Sequence, residues 1–188
     1  MRKRGIYFQS FSYIKEARRY IYLAVGLFVL SGIVGAVFNS YFGFFDDVLK
    51  DIINKTQGLN MWQIMVYIFY NNVMAALFSL FLGIFIGIFP FFNAITNGLL
   101  IGYVLALSYK VTNSVFIIWR LVPHGLFELP AIFISIGLGM KLGMFIFSKN
   151  KKEVFMHRLD KSLKVFLSIV IPLLVIAAII EGILIAFF

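Results

Sequence analysis

Long stretches without a charged side chain decide what this chain can fold into. Residues 20–45, 56–109 and 165–180 contain no Asp, Glu, Lys or Arg. A helix of about 20 apolar residues crosses the hydrocarbon core of a bilayer and satisfies its own backbone hydrogen bonds there. The stretch 56–109 is long enough for two such helices. The sequence therefore predicts an all-α, polytopic transmembrane helical bundle, since the alternating period of a transmembrane β-barrel is not visible.

Five spans account for the apolar part of the chain. They are predicted at about residues 20–44, 62–89, 97–109, 123–147 and 165–188. Pro90, followed by Asn93, Asn97 and Gly98, predicts a turn between the second and third spans. The third span is short, and an alternative topology has a re-entrant segment at residues 113–122, before the fourth span. In either case residues 20–188 are expected to form a single transmembrane domain.

Two basic segments set the predicted orientation. Residues 1–19 form an arm whose aromatic and basic residues predict an amphipathic helix lying on the inner leaflet. Residues 149–164 are predicted to be a basic loop. The opposite side of the bundle holds fewer bases, namely Lys50, Lys55, Lys110 and Arg120. The positive-inside rule therefore places the N-terminus in the cytoplasm and the C-terminus outside, in a multi-pass protein of the cell membrane.

The formal net charge of +9 could indicate nucleic acid, but the bases cluster at membrane ends. We therefore expect the arm and the 149–164 loop to meet anionic lipid headgroups, and we expect no nucleic-acid partner. Between the first two spans, the apolar residues of segment 46–60 repeat at helical spacing. That pattern predicts a short amphipathic helix on the membrane surface.

Several polar residues lie in or beside the predicted spans. Inserting a charged side chain at the bilayer centre costs about 2.5–3.5 kcal/mol, so such residues need an explanation. His124 and Glu128 are four residues apart and share a helix face. Glu181 lies about 25 Å along its helix from Lys164, which places it in the outer half. The predicted intramembrane polar cluster comprises Arg120, His124, Glu128, Glu181, Asn71, Asn72 and Asn97.

Two interpretations of this cluster remain open. It is either a site that handles a proton, an ion or a substrate, or a polar knot that fixes helix register. Zinc is not expected, because the chain has no cysteine and His157, the other histidine, lies at the opposite side. No serine stands out as a nucleophile, and no phosphate-binding or dinucleotide motif is present. We therefore predict no catalytic residue, no metal and no cofactor.

Pairs of small residues four apart predict close helix packing, which also allows a homodimer. The pairs are Ser31 and Gly35, Gly83 and Gly87, Gly98 and Gly102, and Gly139 and Gly143.

The sequence "LVPHGLFELPA" at residues 121–131, followed by a glycine-rich helix, is similar to the hallmark of the stage II sporulation protein M family. The paired asparagines at 71 and 72, the Asn97-Gly98 pair with Gly102, and Ile180-Glu181 follow the family's order. The resemblance covers roughly residues 15–188 and is fairly specific. It implies backbone or packing roles for Gly98, Gly102, Pro123, Gly125 and Pro130.

The resemblance implies a membrane role and no settled catalytic activity. The family's namesake takes part in membrane migration during spore engulfment, as the membrane anchor of peptidoglycan-degrading partners, and members also occur in organisms that make no spores. The short basic arm departs from the namesake, so the transmembrane core is the shared part.

Three functions are weighed for this chain. The first is a non-catalytic scaffold that binds membrane or envelope proteins and organises the membrane or envelope. The alternative is a transporter, channel or permease subunit that uses the intramembrane His/Glu/Asn site. An intramembrane enzyme acting on lipid, with Glu128 or His124 as base, ranks last.

Overall fold

The fold was analysed in a computed structural model, which describes residues 5–112 and 117–187, without the side chains of residues 111, 112, 117–124 and 185–187. The described residues form helices and no strand. The α-helices are α1 (Ile6–Val37), α2 (Phe45–Thr56), α3 (Met61–Phe81), α4 (Ile88–Thr112), α5 (Ile117–Gly143), α6 (Lys151–Val165) and α7 (Ile171–Phe187).

Five segments are long and apolar enough to cross a membrane. They are Ile6–Val37, Met61–Ile84, Ile88–Lys110, Gly125–Phe147 and Lys151–Leu184. The prediction of an all-α bundle with five spans is confirmed. The re-entrant alternative falls partly on residues 113–116, which lie outside the described residues, and α5 is helical from Ile117 onward.

The ends of the elements differ from the prediction at three places. From Ile6 onward, the segment predicted to lie flat on the inner leaflet is the first part of α1, which continues without a break to Val37. Good helix formers over residues 14–19 and the absence of a proline explain this continuity. The predicted basic loop at 149–164 is instead largely helical, as α6, and a π-helical turn at Phe166–Val170 joins it to α7. This turn lies beside Pro172, whose missing N–H removes a regular helical hydrogen bond.

The turn before α4 also lies earlier than predicted. The chain reverses at residues 82–87, where Ile86 has a φ of 58° and Gly87 a φ of 72°. Pro90 lies in the first turn of α4, where its missing N–H needs no partner. The third span therefore begins at Ile88 and is longer than the predicted 97–109 segment.

Helix α5 lies at the centre of the bundle. It contacts α1, α3, α4, α6 and α7, and its residues Ile136, Leu138 and Leu142 are fully buried. Small residues bring its neighbours to backbone contact: a Cβ added at Gly139 would overlap the carbonyl oxygen of Ser79 on α3.

The small-residue pairs predicted from the sequence all lie between helices of this one chain. Ser31 and Gly35 on α1 face Gly98 and Gly102 on α4, while Gly83 and Gly87 face Gly139 and Gly143 on α5. All eight residues are buried. The homodimer stays a prediction, and these pairs no longer support it.

Candidate functional site

A cavity of about 660 Å³ opens between α2, α3, α5 and α7. Its wall combines isoleucines with amide, hydroxyl and carboxylate groups. The described lining residues are Ile52, Ile53, Thr56, Gln57, Ile64, Tyr67, Ile68, Asn71, Asn72, Glu128 and Glu181.

Four residues of the predicted polar cluster line this cavity. Asn71 and Asn72 come from α3, Glu128 from α5 and Glu181 from α7. The helices α3 and α7 touch beside Glu181, where a Cβ added at Gly182 would overlap the Met65 side chain. Close packing of three helices therefore places side chains that are more than fifty positions apart in sequence around one space.

The two asparagines differ in their surroundings. Asn71 is exposed to the cavity, whereas Asn72 is 9% exposed. Within the described part of the chain, the Asn72 amide has no hydrogen-bond partner. The buried side-chain oxygen without a partner among the described residues is Ser162 Oγ, so the amide atoms of Asn72 keep access to the cavity space.

The two remaining ionisable members of the predicted cluster, Arg120 and His124, have side chains outside the described residues, as does Pro123. Glu128 and Glu181 each make a further interaction within the chain. The meeting of all four ionisable groups stays a prediction.

Asn97 lies apart from the cavity. Its side-chain amide donates to the backbone and side-chain oxygens of Asn93, and the Asn93 amide donates to Ser79 Oγ at 2.8 Å. Gly98 and Gly102 pack against α1, in agreement with a packing role. Gly125 differs, since an added Cβ would make only ordinary contact with Leu129 of the same helix, and Pro130 is exposed on α5.

Helix α2 covers one side of the cavity. At its start, Phe45 lies 5.8 Å from the Tyr103 ring, and the Tyr103 hydroxyl donates to Asp46. Near its end, Ile52 and Ile53 face the cavity. On its exposed face, a hydrogen bond of 2.6 Å from Lys55 to Asp51 raises the pKa of that lysine above its usual value. The amphipathic helix predicted from spacing is therefore present, and its first two residues contact Tyr103 of α4.

A second polar cluster lies at the end of the bundle opposite to α2, and it was not predicted from the sequence. Lys141 of α5 lies with its Nζ 3.1 Å from a Glu16 carboxylate oxygen and 3.7 Å from the centre of the Tyr13 ring. Arg158 of α6 donates to the Lys141 carbonyl at 2.6 Å, and the Tyr13 hydroxyl donates to the Arg158 carbonyl at 3.4 Å. A lysine inside an apolar helix was the signal, because such a charge requires a partner.

Over residues 5–110 and 125–184, whose side chains the structure describes, no group of three or more His, Cys, Asp or Glu is placed to hold a metal ion.

Comparison with known proteins agrees with the motifs. The sequence model of the family described as Stage II sporulation protein M matches residues 24–184. An uncharacterized protein of Methanocaldococcus jannaschii is 30% identical over 174 residues, which cover 87% of this chain and 76% of that protein. No solved structure matches the chain. The family match extends over most of the chain and includes both glutamates of the cavity, so the chain is a multi-pass membrane protein that belongs to the stage II sporulation protein M family.

Proposed function

We propose that this protein is a non-catalytic membrane scaffold that binds other membrane or envelope proteins. The observation that carries the proposal is the polar cluster around Lys141, which holds three helices together. Contacts between Tyr13, Glu16, Lys141 and Arg158 tie α1, α5 and α6 into one unit. Because these three helices are held together, the charged side chains on their surface keep fixed relative positions, as a binding surface for partner proteins requires.

The surface held by this cluster is basic. We call it the basic platform, defined by its exposed bases on α1 and around the start of α6: Lys15, Arg18, Arg19, Lys149, Lys151 and Lys152. In the proposed topology it faces the cytoplasm, where anionic headgroups attract it at about 1 kcal/mol per base. Acidic segments of partner proteins would be attracted to the same positively charged surface.

Purification from native membranes in mild detergent tests the scaffold role. We expect envelope proteins to co-purify with the full chain and to be lost when Lys15, Lys151 and Lys152 are changed to Gln. The matched control changes Lys50 and Lys55, exposed bases of α2, and should keep the partners. Absence of any co-purifying protein across several lipid conditions, or equal loss in the control, would contradict the proposal.

A second function, that of a transporter, channel or permease subunit, is favoured by the cavity with Glu128 and Glu181. Its test is ion or proton flux into liposomes that contain the purified chain. A flux that disappears in Glu128→Gln would replace the scaffold proposal, whereas no flux with any common ion would remove this alternative.

A further inference from the structure

We infer that the cavity between α2, α3, α5 and α7 binds a membrane lipid whose headgroup carries N–H or O–H donors. This inference goes beyond the scaffold role and does not depend on it. It starts from the unpartnered amide of Asn72, which is 9% exposed and lines the cavity. A ligand group that enters the cavity can hydrogen-bond this amide, which has no partner within the described part of the chain.

The described part of the polar wall accepts more hydrogen bonds than it donates. Among the described lining residues, Glu128 and Glu181 supply carboxylates, Asn71 and Asn72 supply amide oxygens, and no base is present. Both glutamates already interact within the chain. A carboxylate nevertheless has about four lone-pair sites, so it accepts from more than one donor. The complementary ligand group is an ammonium or a set of hydroxyls.

The remaining wall is apolar and requires an apolar part in the ligand. Ile64 and Ile68 line the cavity from α3, and Ile52 and Ile53 line it from α2, where they stay 40% and 59% exposed. Asn71 lies about 15 Å along α3 from its first residue, so the cavity reaches well into the span. Its volume falls within the range of about 300–1,000 Å³ that is typical of ligand sites.

The surroundings place the mouth of the cavity at headgroup depth. Tyr67 lines both the cavity and a shallow depression on the outer face of α3, together with Trp62 and Tyr70. Trp62 is 70% exposed and Tyr70 64%. Trp62 is the second residue of α3, and an exposed Trp at the end of a span is typical of the membrane interface, whereas Tyr70 lies deeper along the helix. A lipid in the adjacent leaflet can therefore reach the cavity past Tyr67.

The experiment compares phosphatidylethanolamine with phosphatidylcholine of identical acyl chains. The first headgroup has three N–H donors, and the second has none. The full chain in detergent is mixed with equal amounts of both, and native mass spectrometry measures which lipid it retains. We expect a preference for phosphatidylethanolamine of roughly three- to tenfold, which corresponds to one or two added hydrogen bonds.

Two variants and a control test the site. Asn72→Leu should bring the preference close to unity, and Asn71→Leu, at an exposed position, should reduce it even if the first variant fails to fold. Thr96→Val is the control, because Thr96 is exposed away from the cavity and donates to a carbonyl of its own helix. Equal retention of both lipids by the wild type, or a preference unchanged in both asparagine variants, would overturn the inference. A loss in Thr96→Val as large as that in Asn72→Leu would overturn it as well.

Discussion

Individual polar residues in this bundle differ mainly in whether they have partners. Asn93, Asn97 and Ser79 hydrogen-bond to one another, and Lys141 lies against Glu16. Such contacts offset the cost of burying polar groups. Asn72 is the contrast, since its side chain is 9% exposed, lines the cavity and makes no hydrogen bond within the described residues.

The change Asn72→Leu should therefore alter the stability of the purified protein in lipid-free detergent by less than about 1 kcal/mol, because the amide makes no hydrogen bond within the described residues and an apolar group of similar size replaces it. The matched change Asn93→Leu should destabilise it by about 1–3 kcal/mol, since Ser79 and Asn97 both lose a partner. Chemical unfolding monitored by circular dichroism measures both. A loss of stability in Asn72→Leu comparable to that in Asn93→Leu would identify the cavity as a structural knot.

At the scale of elements, helices α1 and α4 are held together by backbone contact rather than by large side chains. A Cβ added at Gly102 would overlap the carbonyl oxygen of Gly32 and lie 2.9 Å from the Ala36 nitrogen. These are backbone atoms of α1 and cannot rotate away. Because apolar side chains gain little by leaving lipid for a helix interface, close packing of this kind is what associates the helices.

We expect Gly102→Ala to destabilise the protein by about 1–3 kcal/mol, since α1 and α4 must separate to admit the methyl group. Gly26→Ala on α1 is the control, because a Cβ there meets nothing within 4 Å. That control should gain about 0.5–1 kcal/mol from the better helix propensity of alanine. Equal effects of the two substitutions on the unfolding midpoint would contradict the packing argument.

Element positions show what the sequence could and could not predict. Charge-free stretches predicted four of the five spans, because the cost of burying charge in lipid is local and additive. The fourth span contains Glu128 and Lys141 and was predicted from the apolar run that follows Pro123. The turn before α4 was misplaced to Pro90 and Asn97, since proline both ends helices and begins them. The true reversal uses Ile86 with positive φ, and isoleucine gives no sign of that backbone.

The candidate site was predictable only in part. Their positions inside predicted spans identified Glu128 and Glu181 as unusual, and both line the cavity with Asn71 and Asn72. Asn97 is also a polar residue in a predicted span, but its side chain donates to Asn93 of its own helix and lies apart from the cavity. The sequence could not separate it from the others, because a sequence does not show which helices are neighbours. The contribution of α2 was not predicted, since its docking depends on the contact of Phe45 with Tyr103.

At the scale of the whole molecule, the two ends of the bundle are chemically different. The basic platform and the Lys141 cluster lie at one end, where α1 and α6 meet. Helix α2 lies at the other end, with Asp46, Asp47 and Asp51 beside two lysines. This asymmetry predicts that the basic end faces the cytoplasm, and the proposed lipid site beside α2 would then draw from the outer leaflet.

Single cysteines test this orientation directly, because the natural chain contains none. Lys50→Cys on α2 and Lys152→Cys on α6 replace exposed residues at opposite ends. In intact cells, a membrane-impermeant maleimide should label the first and leave the second unlabelled until the membrane is permeabilised. The reverse pattern would place the basic platform outside the cell, against the positive-inside rule, and would move the lipid site to the inner leaflet. Labelling of both in intact cells would mean that the two ends share one side, which five spans do not allow.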